Sequence, residues 1–157
     1  MDGEPLKKLI NDLLTGSRLV NYARSCLFND RRMNLVHILN VVAALTFLIN
    51  RQDALRGEVF IVSDDDDLNN KFSYVEQLLM SELGVSKYEV PQLRLSLDVL
   101  SVLLRILGRN NINPRCEYDS SKLRELGYKR RVSLKDGLLE YVAWYRRTHF
   151  ANSGTLQ

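Results

Sequence analysis

Residues 118–122 read YDSSK, and the two ends of the pentapeptide, Tyr118 and Lys122, carry the spacing of a tyrosine-base catalytic pair. That chemistry requires both side chains to project from one face of a helix, four residues apart. The residues between them argue for a different job. Asp119 and Ser120 are preferred helix caps, because a short side-chain oxygen satisfies backbone N–H groups that a helix start leaves free. The helix is therefore predicted to begin at Asp119 or Ser120 and to leave at Gly127. Tyr118 then precedes the cap, in extended conformation, and points away from Lys122. The spacing is read as accidental, and no catalytic residue is assigned.

No other constellation supplies a self-sufficient active site. A dinucleotide site needs a strand, a glycine-rich turn near GxGxxG and a helix whose N-terminus receives the pyrophosphate. The eight glycines lie singly, at positions 3, 16, 57, 84, 108, 127, 137 and 154. There is no GxSxG, HExxH or phosphate-binding P-loop. His37 and His149 are too isolated to form a relay, and His37 reads as a partly buried structural histidine. The run Asp64–Asp67 lacks the calcium-loop pattern, since the sixth and twelfth positions from Asp64 are Asn69 and Val75 instead of Gly and Glu. These aspartates are expected to be solvated, stopping a strand and favouring the positive end of the next helix. No metal site is assigned.

The bulk properties fit one ordinary globular domain: 157 residues, 45% hydrophobic and 26% charged. A single subdomain is expected over 1–150, with a frayed tail over 151–157. The net charge of +3 is weak and dispersed. The pairs Arg31–Arg32, Arg130–Arg131 and Arg146–Arg147 are scattered and lack interleaved aromatics, so nucleic acid is not expected as a partner. Cys26 and Cys116 have no CxxC pattern and suit a reducing cytosol. The apolar run VVAALTFLI reaches about half the length of a membrane span, and MDGEPLKK is no signal peptide. The expectation is a cytoplasmic protein with no membrane partner.

The elements follow from periodicity and punctuation. PLKKLINDLLTG predicts a helix over roughly 5–15, with Pro5 in the first turn and Gly16 past the end. SRLVNY is a short strand candidate and ARSCLFNDRRMN a polar connection. Asn40 is expected to cap a helix over 41–51 that is apolar on nearly every face and hence central. GEVFIVS, 57–63, is the best strand candidate. Helices are expected over roughly 71–83 and 92–107, then at SSKLRELG. VSLKDGLLEYVAWYRRT is the last, opened by Ser133 with Asp136 three residues on, a variant capping box. Trp144 and Tyr145 on that helix read as packing residues. The fold class is α+β, mostly helical, with about six helices and a small sheet of two or three short strands, and no Rossmann domain.

The order of these pieces is similar to the C-terminal portion of the extended short-chain dehydrogenase/reductase family, the NAD-dependent nucleotide-sugar epimerases and dehydratases. NLVHILNVVAALTFLINRQDALRGEVFIVSDDDDLNN resembles that family's central stretch. SSKLRELGYKRRVSLKDGLLEYVAWYRR resembles its ending, and the likeness covers about residues 5–147. The resemblance implies a substrate-binding subdomain that starts after the Rossmann portion, which carries the glycine-rich loop and the true Tyr-x-x-x-Lys pair. YDSSK falls where the family starts a short helix, in agreement with the capping argument.

The resemblance further implies a nucleoside-diphosphate sugar as ligand, weakly held by this chain alone. Basic side chains would grip the phosphates from two places. One is the turn with Arg31 and Arg32, the other the loop with Arg115, with Arg109 as a rival. Leu35 and Val36 would line the nucleoside side. The chemistry is sound, since a guanidinium fork makes parallel charge-assisted bonds to phosphate oxygens. Met33 stands where the family often has an Arg, and Leu39 where it often has an acid. No cofactor is expected on this chain, NAD(P) being implied for the complete enzyme, and the chain alone is expected to be inactive. Self-association is expected through the apolar face that would pack on the Rossmann portion. The alternative is a stand-alone helical protein-interaction module with no enzymatic role.

Overall fold

The computed structural model describes residues 4–51, 55, 57–106, 108 and 113–149. Their regular elements are helices: α1 (Glu4–Thr15), α2 (Arg18–Phe28), α3 (Ile38–Ile49), α4 (Phe72–Leu83), α5 (Leu97–Ile106), α6 (Ser121–Glu125) and α7 (Leu134–His149). No described helix is long and apolar enough to cross a membrane. The expected tail, 151–157, lies outside the described residues.

The core is built where apolar stripes of three helices meet. Leu9, Ile10 and Leu13 of α1, Val75 and Leu79 of α4, and Leu134, Leu138, Val142 and Tyr145 of α7 form one buried cluster. Their spacings of three and four residues put each set on one helical face. The helix ends follow local chemistry. Gly84 stops α4 in the left-handed region at φ 69°, with the Val85 N–H bonded to the Met80 carbonyl at 2.9 Å. The box expected at α7 is present: the Asp136 N–H donates to Ser133 Oγ at 3.1 Å, and that hydroxyl donates to Asp136 Oδ2 at 2.6 Å. A cap of this kind contributes about 1 kcal/mol.

Three expectations about elements are corrected. SRLVNY is not a strand but the start of α2, which also takes up half of the expected connection. Its inward face is polar, with Asn21, Ser25 and Cys26 buried, while Leu19 and Val20 point outward. Asn21 donates to the Asp12 carbonyl at 2.5 Å, so hydrogen bonds seat this helix where apolar contacts usually would. Second, no sheet forms among the described residues. GEVFIVS has no partner strand, and the remaining trace of pairing is an antiparallel bridge between Arg32 and Lys71. Third, α3 is not central. Its Asn40 and Ala44 are buried, but Ile38, Val42, Leu45 and Ile49 are exposed.

A polar core also lies between α2 and α4. Ser25 Oγ and Tyr88 OH both donate to the buried Glu76 carboxylate, the tyrosine at 3.0 Å, and Gln92 donates to Ser25 at 2.6 Å. Burial pushes the Glu76 carboxyl up, against the lowering effects of those hydrogen bonds and of the Arg24 charge. Burial and the facing carboxylate also push the Tyr88 phenol up. Between the ordinary glutamate value and the raised one, the folded chain keeps a proton that the unfolded chain has lost. Stability from this site therefore falls as pH rises through that window. Glu76→Gln removes the ionisation, and urea midpoints measured across the window should fall less steeply than in the parent chain. An equal slope in both would show that Glu76 ionises as freely folded as unfolded.

Candidate functional site

The segment from the end of α2 to the start of α3 meets the loops 64–71 and 113–120, and most of the residues singled out in the sequence lie at this junction. Backbone bonds set the frame. The Met33 N–H donates to the Asn70 carbonyl at 3.0 Å and the Phe72 N–H to the Arg31 carbonyl at 2.9 Å. The Asn70 side chain then imitates a strand partner for Leu35. Its Oδ1 accepts from the Leu35 N–H at 3.2 Å, and its Nδ2 donates to the Leu35 carbonyl at 2.9 Å. Asn34 sits in the left-handed region at φ 51°, which asparagine tolerates better than most side chains.

The first half of the aspartate run anchors this junction, which corrects the expectation of solvation for Asp64 and Asp65, each only 3% exposed, while Asp66 is exposed and Asp67 half-buried. Asp65 accepts from Asn34 Nδ2 at 2.6 Å, from Asn70 Nδ2 at 3.1 Å and from the Tyr118 N–H at 2.9 Å. Asp64 accepts from Asn40 Nδ2 at 3.0 Å, with Arg130 Nε 3.8 Å away. Burial pushes the Asp64 carboxyl up, and the Asn40 hydrogen bond, the Arg130 charge and the His37 backbone N–H pull it back. Asp66 pairs with both Arg124 and Arg130. Side-chain amides and guanidinium groups thus replace the water that such carboxylates normally keep.

Asn40 is not the cap of α3. His37 is, its Nδ1 accepting from the Leu39 N–H at 3.3 Å. Its Nε2 lies 3.4 Å from Glu140, and a Cβ at Gly137 would come within 2.8 Å of its ring. Asn40 is wholly buried inside the helix and clasps the chain before α7. Its Oδ1 accepts from the Arg131 and Val132 N–H groups, both at 2.9 Å, and its Nδ2 donates to the Val132 carbonyl at 2.9 Å.

The candidate binding residues are placed unevenly. Arg32 Nε donates to Glu117 at 2.5 Å and its Nη1 to the Asp67 carbonyl at 3.1 Å, which brings the basic turn against the second loop. Arg115 on that loop pairs with Asp98 at 2.5 Å. The Arg31 guanidinium lies over the Phe28 ring, 5.5 Å from its centroid. Arg109 lies outside the described residues. Leu35 and Val36 wall a groove of about 400 Å³ whose far side is Gly137, Tyr141 and Trp144 of α7. Tyr145 packs in the core as expected, whereas Trp144 is partly exposed on this groove wall. The groove was not foreseen; its signal was the four-and-three spacing of 137, 141 and 144, with a glycine that leaves room for the His37 ring.

Tyr118 and Lys122 have separate surroundings. Lys122 pairs with Glu58 at 3.0 Å and lies over the Phe60 ring at 4.9 Å. Tyr118 precedes α6, and its phenol is pushed up from its ordinary value by the Cys116 thiol beside it. A tyrosine base needs the opposite shift. Asp119 secures the helix start by accepting from the Ser121 N–H at 2.8 Å.

No protein-family model, curated protein or solved structure matches this chain. The family resemblance therefore rests on the two sequence stretches that carry it.

Asn40→Ala would strand the buried Asp64 carboxylate and three backbone groups of residues 131 and 132 without their partner. A loss of about 3 kcal/mol is expected in chemical denaturation. A loss below about 1 kcal/mol would mean that water enters and replaces the amide.

Proposed function

We propose that the chain is the nucleotide-sugar-binding portion of an NAD(P)-dependent nucleotide-sugar epimerase or dehydratase, the redox cofactor and the tyrosine base belonging to a dinucleotide-binding portion. The observation that carries this reading is the joining of the two segments expected to hold phosphate. Arg32 of the basic turn touches Glu117, and Asn34 donates to the Cys116 carbonyl at 3.0 Å, one residue from Arg115. Three residues on from Arg32, Leu35 opens onto an apolar groove with aromatic walls. That is the order in which a nucleoside diphosphate presents charge and then a flat base. NAD(P) would supply the hydride chemistry; this chain would hold and orient the sugar nucleotide.

Affinity in isolation would be weak, because the other walls of the pocket belong to the dinucleotide-binding portion. Titration with UDP, followed by amide NMR, should move signals around Arg32 and Arg115 first, with no turnover on adding NAD and UDP-sugars. Arg32→Ala should weaken UDP binding about tenfold, the scale of a lost charge-assisted hydrogen bond. Shifts clustered away from both arginines would defeat the assignment.

A stand-alone protein-interaction module is the second reading, favoured by the outer face of α3. Ile38, Val42, Leu45 and Ile49 repeat at four, three and four residues, the spacing of a helix-packing seam, and the helix carries no charge. In the first reading the dinucleotide-binding portion covers this seam, and in the second a protein partner does. Either way the isolated chain would self-associate through it. Leu45→Asp should return the assembly to monomers in light scattering. A parent chain that stays monomeric at high concentration would overturn the expectation, and indifference to UDP would favour the module.

A further inference from the structure

The Arg32–Glu117 ion pair is unequal. The Arg32 side chain is 12% exposed and that of Glu117 58%. The cation is fixed from a second direction by the Asp67 carbonyl at 3.1 Å, in a loop whose neighbours Asp64 and Asp65 are buried. The carboxylate has no hydrogen-bond partner other than Arg32 among the described residues. Yet the backbone on each side of it is tied down. The Cys116 carbonyl accepts from Asn34 at 3.0 Å, and the Tyr118 N–H donates to Asp65 at 2.9 Å. The mostly exposed Glu117 side chain thus has room to turn while its backbone stays tied.

We infer that Glu117 is an internal stand-in for the ligand's anion, holding Arg32 until a phosphate or pyrophosphate oxygen takes its place. The inference rests on the phosphate-site reading above and names a residue that this reading did not assign. Tethering sets what an incoming anion must overcome. A carboxylate fixed beside its partner acts at an effective concentration in the millimolar range or above. A free monoanion offers Arg32 nothing that Glu117 does not already supply. A pyrophosphate brings more charge and a second phosphoryl group for another cation. Arg115 is two residues along the same loop, in an ion pair with Asp98 whose side chains are mostly exposed and easily parted. The buried Asp65 carboxylate nearby is already occupied by Asn34, Asn70 and the Tyr118 N–H, so it does not compete for the guanidinium.

The test is calorimetric titration of the chain at low ionic strength with inorganic pyrophosphate and with acetate. It compares the parent, Glu117→Gln and Arg32→Lys, each checked for an unchanged thermal transition. Glu117→Gln should bind pyrophosphate about threefold more tightly, the scale of an exposed ion pair, and should gain no larger a factor for acetate. Arg32→Lys, which keeps the charge but loses the fork, should bind more weakly than the parent. If the parent and Glu117→Gln bind pyrophosphate equally while Arg32→Lys is weakened, the gating role is wrong and the phosphate site stands. If none of the three binds pyrophosphate, the phosphate site itself fails and the gate with it.

Discussion

Two adjacent carboxylates buried almost completely are the constraint on which this structure turns. Charged groups taken from water must find their hydrogen bonds elsewhere, and Asp64 and Asp65 find them in three asparagines, one arginine and the chain's own N–H groups. Each of those partners comes from a different stretch of chain. Asn34 belongs to the connection before α3, Asn40 to α3, Asn70 to the approach to α4 and Arg130 to the approach to α7. Meeting the needs of two side chains therefore fixes four segments against one another. In a fold whose described residues contain no sheet, this junction supplies the cross-connections that a ladder of paired strands would otherwise provide.

The division of labour is physical. α1, α4 and α7 are held by an apolar core, which is strong but non-directional. The junction is held by directional bonds with short side chains, which are weak one by one but fix relative positions closely. Arg32 and the 113–118 loop sit on the directional part. The proposed binding site would benefit from that placement, since a guanidinium meeting phosphate oxygens tolerates little error in angle.

What could be read from the sequence divides along the same line. Helix ends written in local chemistry were legible: Pro5 and Gly16 around α1, Gly84 after α4, and the Ser133–Asp136 box of α7. Their signals lie within a few residues of the feature they set. α2 was missed because its buried face is Asn21, Ser25 and Cys26, so the usual apolar stripe points outward. GEVFIVS has the composition of a strand, but a strand exists only by pairing, and among the described residues no partner strand lies beside it. The burial of Asp64 and Asp65 is hidden for a similar reason: their partners Asn34 and Asn40 are distant in sequence. Arg32 and Leu35 were singled out through a family likeness, whereas Glu117 could not be, since nothing near it in the chain announces its contact with Arg32.

The reliance on asparagine has a consequence for how this protein ages. Hydrolysis of a side-chain amide replaces a donor with an acid, and at positions 34, 40 or 70 the new acid would face an aspartate that needs a donor. Such damage would set like charges against each other at the point where four segments meet. Asn40 and Asn70 are shielded by complete burial, but Asn34 is not. Within this junction the amide most open to that chemistry is therefore Asn34, two residues from Arg32.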